Sequence, residues 1–190
     1  MQQIETNILL IFFLYGALSI TLIICAITDL QQRRIPNILT YPTVLTALPA
    51  YWFIGGWDGL VFSLGGLVLG FSVLFLPYLL GGMGAGDVKL MSAVGAVLGF
   101  QQTAVSFLFI VVCGGIMALG FMAYRRSLKD TLSKTFLSIL YLGMHRDTSL
   151  LKVDKNKNTQ ESIPYGVAIT SGVFLFFLYL MLNNKTLPSF

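Results

Sequence analysis

The sequence predicts an all-α, polytopic membrane protein with six transmembrane helices. Its hydrophobic residues make up 56% of the chain and its charged residues only 11%, whereas an average soluble domain is about 25% charged. The apolar residues form runs long enough to cross a hydrocarbon layer of about 30 Å, and they do not alternate with polar residues as in barrel strands of about ten residues. Composition and patterning together exclude a soluble domain and an outer-membrane barrel.

The apolar runs delimit the six predicted spans. The first run is longer than the h-region of a signal peptide and has no basic residue before it, so we expect it to stay in the protein. The run at 88–123 would be about 54 Å long as one helix. We therefore expect the polar residues Gln101, Gln102 and Thr103 to divide it. The predicted spans cover about 7–28, 38–54, 58–80, 88–100, 104–123 and 163–182.

The basic residues orient the predicted spans. With six spans, eleven of the twelve lysines and arginines fall on one side and only Lys185 falls on the other. The positive-inside rule makes the shared side cytoplasmic, with both termini on the non-cytoplasmic side. The same rule accounts for the net charge of +4, so we expect no nucleic-acid partner. The eleven residues are Arg33, Arg34, Lys89, Arg125, Arg126, Lys129, Lys134, Arg146, Lys152, Lys155 and Lys157.

The segment 124–162 is predicted to be a long cytoplasmic loop within a single domain that covers 1–190. Its middle, at 131–144, is apolar but short and lies between basic residues, which is typical of an interfacial helix. The sole histidine lies in this loop, and the two cysteines lie far apart in apolar runs. Because no spacing matches a set of metal ligands, we expect no metal and no cofactor.

Two glycine pairs have the spacing of close helix contacts. Gly66 and Gly70 lie on the third span, and Gly95 and Gly99 lie on the fourth. Small residues four positions apart share a helical face and allow two backbones to approach closely in a membrane. We expect the two spans to pack on each other within the chain, and a homodimer is the alternative.

Two of the eight carboxylates are predicted to lie on the same side of the membrane. Asp29 ends the first span and Asp87 begins the fourth, 58 positions later. Two spans separate them, and an even number of crossings returns the chain to the side it left. The fourth span is only about 20 Å long, which would place Asp87 below the lipid headgroups. A non-helical glycine loop at that depth, at 81–86, is expected to line a hydrated cavity.

Carboxyl groups inside a membrane are costly, and they indicate function by default. Two adjacent carboxyls favour sharing one proton, so that the ionised group takes a proton from water while the protonated group polarises a peptide carbonyl. This is the chemistry of an aspartic protease. The alternatives are that Asp29 is a solvated residue beside Arg33 and that Asp87 only caps its helix, as we expect of Asp58 at the outer start of the third span.

Three motifs lie at the predicted cytoplasmic ends of the spans. They are Asp29 followed after five residues by Ile35-Pro36-Asn37, then Gly84-Ala85-Gly86-Asp87-Val88-Lys89-Leu90, and Ile163-Pro164-Tyr165-Gly166. In this order they resemble the type IV prepilin peptidase family, which includes archaeal preflagellin peptidases. The resemblance extends from the first span to the last.

The resemblance implies an aspartic endopeptidase in the cytoplasmic membrane of a prokaryote, with its active site facing the cytoplasm. Such an enzyme removes the short basic leader of prepilins just before their apolar N-terminal helix. The implied catalytic pair is Asp29 and Asp87, and the implied partners are a prepilin-like substrate and the lipid bilayer. The residues expected to bind substrate or to shape the surrounding loops are Gly84, Gly86, Lys89, Pro36, Asn37 and Pro164.

The chain departs from the longer bacterial members of this family in one respect. Those members carry an insert with paired cysteines between the first two spans, which is associated with N-methylation of the trimmed pilin. Here only eight residues, 30–37, join these spans and none is a cysteine. The chain is therefore similar to the short, peptidase-only form that serves Flp-type pili.

Two other functions stay open at this stage. A broader intramembrane protease of the presenilin or signal-peptide-peptidase kind also has a Gly-x-Gly-Asp motif, although its first aspartate follows a tyrosine and here Thr28 precedes Asp29. A proton-coupled transporter also uses membrane carboxylates, although it more often has two interrupted helices in paired halves. The residue required before the cleavage site would separate the two kinds of protease.

Overall fold

The computed structural model describes residues 2–80, 82–124 and 164–183, and these residues form four α-helices and no strands. In chain order the helices are α1 (Gln2–Gln32), α2 (Asn37–Leu79), α3 (Ala85–Tyr124) and α4 (Tyr165–Leu182). Each is long and apolar enough to cross a membrane. The predicted all-α class is confirmed, whereas the number of six crossings and the side on which the termini lie stay predictions.

The chain divides into two compact units. The first comprises Met1–Gly114 and Pro164–Phe190, and the second comprises Gly115–Ile163. Of the second unit, the described residues are the last part of α3, at 115–124. The predicted loop from residue 125 onward lies outside the described residues, as do the interfacial helix at 131–144 and the histidine. A single domain over 1–190 stays a prediction.

Both long helices are interrupted at one glycine. Gly56 in α2 has φ 58° and ψ −130°, and Gly99 in α3 has φ 74° and ψ 174°. Glycine adopts positive φ without the steric cost of a Cβ atom. As a straight helix, α2 would be about 64 Å long, roughly twice the thickness of the hydrocarbon layer. The two interruptions therefore divide each long helix into two shorter segments, and the one at Gly56 lies between the predicted second and third spans.

The run at 88–123 is divided as predicted, but the predicted position is wrong, because the division does not lie at Gln101, Gln102 and Thr103. All three are helical, and the interruption lies at Gly99. The polar side chains are accommodated because Gln102 Oε1 accepts a hydrogen bond from the Tyr15 hydroxyl (2.7 Å). The Thr103 hydroxyl donates to the Gly99 carbonyl (2.6 Å). The helix is thus interrupted at a glycine and not at the neighbouring polar residues.

Side chains from α2 cover the interrupted turn of α3. The Tyr51 hydroxyl donates to the Val97 carbonyl (2.6 Å), and the Ser63 hydroxyl donates to the Ala96 carbonyl (2.7 Å). Both hydrogen bonds are buried. Carbonyl groups near a helix break need such partners because no water is available in an apolar interior.

The glycine faces of α2 and α3 pack on each other. A Cβ atom on Gly66 would overlap the Gly95 carbonyl, and one on Gly70 would overlap the Met91 carbonyl. The absence of side chains allows the two backbones to touch. The structure therefore has the packing within the chain that the spacing predicted, and a homodimer stays a prediction.

The first half of α3 is the most buried segment of the first unit. From Asp87 to Gly99, every residue except Lys89 is buried. Leu14, Leu18 and Leu22 form a buried stripe along α1, with the spacing of one helical face. Asp87 therefore lies at the N-terminal end of a segment that is almost completely buried.

Candidate active site

One cavity of about 300 Å³ contains both aspartates of the sequence motifs. Asp29 is 6% exposed and Asp87 is 7% exposed. Both side chains are therefore buried in the wall of the same cavity. The cavity is lined by Asp29, Arg33, Arg34, Ile35, Asn37, Gly84, Ala85, Gly86 and Asp87.

Asp87 is held by the start of its own helix. Because α3 begins at Ala85, Asp87 is its third residue. Its Oδ2 atom accepts a hydrogen bond from the Gly84 N–H (3.1 Å), and its own N–H donates to the Gly84 carbonyl (3.2 Å). This resembles the capping of a helix by an acidic residue in its first turn. Asp87 therefore does cap its helix, and it uses one carboxyl oxygen to do so.

Asp29 is held by a different helix. It lies in the last turn of α1, which continues to Gln32 instead of ending at about 28 as predicted. Its Oδ2 atom accepts a buried hydrogen bond from the Gly166 N–H (2.8 Å), which is 137 positions away in sequence. Gly166 lies in the first turn of α4, where free N–H groups and the helix dipole favour an anion. Asp29 is therefore not the solvated residue of the alternative interpretation.

Two residues of α4 contact α1: Gly166 at Asp29, and Thr170 at Leu22, about two turns earlier. The Thr170 hydroxyl lies 3.0 Å from the Leu22 carbonyl oxygen and 2.8 Å from the Gly166 carbonyl oxygen. A Cβ atom on Gly166 would lie 2.9 Å from Asp29 Oδ2, so only glycine allows this approach. Sequence reasoning selected Pro164 from this motif and missed Gly166. The available signal was a glycine in the first turn of a helix, a costly choice that indicates close packing.

Gly84 and Gly86 leave space for neighbouring atoms, and neither has a positive φ. Among the described residues, the glycines with positive φ are Gly56 and Gly99. A Cβ atom on Gly86 would lie 2.9 Å from Ile35 Cβ, and one on Gly84 would lie 3.3 Å from Asp87 Oδ2. Gly86 belongs to α3 and lets the α1–α2 connection reach that helix. Gly84 leaves the cavity wall open beside the carboxyl.

The connection between α1 and α2 forms the basic edge of the cavity. Arg33 has a positive φ of 52°, and its N–H donates to the Asp29 carbonyl (3.0 Å) at the end of α1. Pro36 has an extended backbone, with φ −68° and ψ 127°, and directly precedes α2. Arg33, Arg34 and Asn37 thus line the cavity from a short segment whose ends are held by two helices.

Lys89 and Pro164 are not among the residues that line the cavity. Lys89 Nζ donates to Asn37 Oδ1 (3.1 Å) and lies 5.4 Å from the centre of the Tyr41 ring. Lys89 therefore connects α3 with the start of α2. Pro164 is the N-cap of α4, and its carbonyl accepts the Val167 N–H (3.2 Å).

Comparison with known proteins adds independent information. A prepilin leader peptidase/N-methyltransferase from Aeromonas hydrophila is 34% identical over 119 residues, which are 58% of this chain and 41% of that protein. A protein of the same name from Bacillus subtilis is 39% identical over 100 residues, or 50% of this chain and 39% of that protein. The prepilin peptidase EppA from Methanocaldococcus jannaschii is 27% identical over 134 residues, or 66% and 38%.

These matches are partial in length. The chain spans about two fifths of the length of the relatives it matches. No solved structure matches the chain significantly. The model of the type IV leader peptidase family matches residues 8–119, which are more than half of the chain and include both aspartates. The chain therefore belongs to the type IV leader peptidase family.

Proposed function

We propose that this chain is an aspartic endopeptidase that cuts prepilin-like substrates at the cytoplasmic face of the membrane. One observation carries the proposal. Asp29 and Asp87 come from distant parts of the sequence, yet they line one cavity, and each is held by a backbone N–H at a helix N-terminus. The names of the relatives, prepilin leader peptidase and prepilin peptidase, support the substrate class.

The reaction follows from a proton shared between the two carboxyls. Each aspartate uses Oδ2 for its backbone contact, which leaves the other oxygen for water or substrate. The ionised carboxyl takes a proton from a water molecule as the water oxygen adds to the peptide carbonyl carbon. The protonated carboxyl donates its proton towards the carbonyl oxygen. The C–N bond then breaks as the amine nitrogen takes the proton that the first carboxyl received from water, and a hydroxyl proton of the tetrahedral intermediate returns to the second carboxyl. No covalent enzyme intermediate forms.

The position of the cavity supports a cytoplasmic active site. Arg33, Arg34, Asn37 and Gly84 line the cavity and are exposed, so water can reach the carboxyls. The positive-inside rule assigns segments with such arginines to the cytoplasm. The buried part of α3 follows Asp87 in the chain and lies away from these exposed residues. The proposed site is therefore open towards the basic end of the bundle.

The short α1–α2 connection supports a peptidase without a methyltransferase insert. The described chain leaves α1 at Gln32 and enters α2 at Asn37. Four residues, 33–36, connect the two helices, and Ile35 packs against Gly86. We propose that the activity is limited to cleavage.

The proposal is tested by co-expressing the chain with a prepilin and measuring leader removal. We expect Asp29→Asn and Asp87→Asn to abolish processing, because each removes a carboxyl that the reaction needs. The matched control is Asp58→Asn, at an exposed aspartate on α2, which should process normally. All three variants should insert into the membrane in equal amounts. Processing by either of the first two variants would refute the proposal.

A broader intramembrane protease is the alternative, because the same pair of carboxyls would serve it. The two functions differ in what they require of the substrate. A prepilin peptidase should require glycine just before the cleaved bond, whereas a broader protease should accept other residues there. Replacing that glycine in the co-expressed prepilin separates the two, since continued cleavage would favour the broader protease.

A further inference from the structure

Arg33 has a backbone conformation that favours glycine. Among the described residues, it is the one non-glycine residue with a positive φ, 52°. It directly follows α1, and its N–H donates to the Asp29 carbonyl (3.0 Å). Helices commonly end with a residue in this conformation, but that residue is usually glycine, because a Cβ atom is unfavourable at positive φ. The end of the helix therefore does not itself require the arginine side chain.

The arginine belongs to the wall of the aspartate cavity. Arg33 and Asp29 both line this cavity. They are four positions apart in sequence, which is the spacing of about one helical turn. A guanidinium group stays protonated in proteins. The cavity therefore has a permanent positive charge about one turn from Asp29.

The two aspartates are otherwise similar in their surroundings. Asp29 is 6% exposed and Asp87 is 7% exposed. Each Oδ2 atom accepts one hydrogen bond from a backbone N–H, from Gly166 in the case of Asp29 and from Gly84 in the case of Asp87. Both contacts lie at a helix N-terminus, where the helix dipole favours an anion. Burial and helix dipoles therefore act on both carboxyls in the same direction.

Lys89 does not give Asp87 an equivalent cation. It lies two positions after Asp87 on α3, and residues two positions apart point to different sides of a helix. Its Nζ atom donates to Asn37 Oδ1 (3.1 Å) and lies 5.4 Å from the centre of the Tyr41 ring. The arginine that follows Asp29 by one turn is therefore the main difference between the two carboxyls in the described part of the chain.

We propose that Arg33 positions the shared proton, because its charge keeps Asp29 ionised and leaves the proton on Asp87. Asp29 then takes a proton from water, and Asp87 donates its proton towards the peptide carbonyl oxygen. The proposal rests on the proposed function, since it assigns the two roles in that reaction. Arg33 acts through the Asp29 carboxyl, so it is a positioning residue.

The first experiment measures kcat/KM for prepilin cleavage as a function of pH, with purified full-length wild type, Arg33→Gly and Arg33→Lys. Without the cation, Asp29 is protonated more readily. The acid side of the profile should therefore move to higher pH by at least about half a pH unit in Arg33→Gly. Arg33→Lys keeps the charge and should stay close to wild type. Arg33→Gly should unfold at the wild-type temperature or above it, because glycine is favoured at this φ.

Other titratable groups beside Asp29 do not account for a change on the acid side. Cys25 lies one turn earlier on α1, and Tyr165 directly precedes Gly166 on α4. A thiol and a phenol are both neutral at acidic pH. Asp87 lines the same cavity from α3 and is the carboxyl with which the proton is shared.

The matched control is Arg34→Met. Arg34 is also exposed and lines the same cavity, but it is five positions from Asp29 and not one helical turn. This variant should move the acid side of the profile less than Arg33→Gly does. An unmoved profile in Arg33→Gly would overturn the proposal, as would an equal shift in Arg33→Lys or in Arg34→Met.

A second experiment shows on which carboxyl Arg33 acts, and it needs no cleavage. Infrared spectra distinguish an ionised from a protonated carboxyl, and subtracting the spectrum of the Asp29→Asn, Asp87→Asn double variant isolates the one carboxyl that each single variant retains. Adding Arg33→Gly to both single variants and to the double variant should raise the titration midpoint of Asp29 by at least about half a pH unit. The midpoint of Asp87 should move less.

The two outcomes of the infrared experiment are separate from the proposed function. An equal or larger shift for Asp87 would overturn the assignment of the two roles. If wild type cut no prepilin, the proposed function would fail, whereas the infrared midpoints would still decide whether Arg33 acts on Asp29.

Discussion

Asp87 and Asp29 each accept a hydrogen bond from a backbone N–H at a helix N-terminus, but their donors differ in distance along the chain. The donor to Asp87 is three positions away in its own capping turn, and the donor to Asp29 is 137 positions away on α4. The formation of α3 is enough to place Asp87. Asp29 is placed only when α4 has docked on α1, so changes in that docking should affect Asp29 alone.

Among changes that leave both aspartates in place, the largest effect is expected for Gly166→Ala. Its Cβ atom would lie 2.9 Å from Oδ2 and 3.2 Å from Cβ of Asp29, so either the carboxyl or α4 has to move. A displacement of about 1 Å in an active site can cost about 100-fold in rate. We expect a loss of that size in kcat/KM for prepilin cleavage, with the folded protein retained because alanine favours a helix. Cleavage at the wild-type rate would show that the Gly166 contact does not position Asp29.

A smaller effect is expected for Thr170→Val, which keeps the shape of the side chain and removes its hydroxyl. The lost hydrogen bond to the Leu22 carbonyl should lower stability by about 1 kcal/mol. Thermal unfolding in detergent measures this change, and cleavage should fall with it. Thr170→Ser retains the hydroxyl and should be close to wild type. If the serine variant lost as much stability as the valine variant, the methyl group and not the hydrogen bond would hold α4.

Gly84→Ala tests the contact between Gly84 and the Asp87 carboxyl, and it should have a weaker effect than Gly166→Ala. Its Cβ atom would lie 3.3 Å from Asp87 Oδ2, and Gly84 is exposed at the edge of the cavity. A few tenths of an ångström of movement would relieve this contact. We expect kcat/KM to fall by less than about tenfold, or under 1.4 kcal/mol in transition-state energy. A loss as large as that of Gly166→Ala would mean that Asp87 is as sensitive to a change at Gly84 as Asp29 is to a change at Gly166.

The smallest effect is expected for Lys89→Met. This change removes the hydrogen bond to Asn37 and the contact with the Tyr41 ring, and an exposed cation–π contact contributes only about 0.5–1 kcal/mol. Stability should fall slightly and the KM for the prepilin should stay the same. A KM that rises several-fold would instead indicate that Lys89 contacts the substrate.

Much of the fold could be predicted because apolar runs and glycines act locally. The all-α class and the interruption near Gly56 follow from such patterns. The length of the run at 88–123 predicts an interruption, and its polar residues place that interruption at Gln101–Thr103, whereas the structure has it at Gly99. The partner of Gln102 is Tyr15, which is 87 positions away, and no local pattern reveals such a contact.

The sequence predicts that the two aspartates can meet, but it does not predict the contacts that hold Asp29 in place. The even number of spans between Asp29 and Asp87 indicated that they could meet, and the structure has both in one cavity. Their catalytic role stays a prediction. The hydrogen bond from the Gly166 N–H to Asp29 and the packing of Gly86 on Ile35 depend on how separate helices dock. The sequence motifs alone could therefore not show them.

The central claim is that Asp29 and Asp87 form one active centre. The most direct test compares the initial rates of prepilin cleavage by purified Asp29→Asn, Asp87→Asn and the double variant. Residues that act as a unit lose nearly everything on the first replacement, so we expect both single variants to be as inactive as the double variant. A single variant that cleaves measurably faster than the double variant would mean that the carboxyls act separately, and would contradict the account.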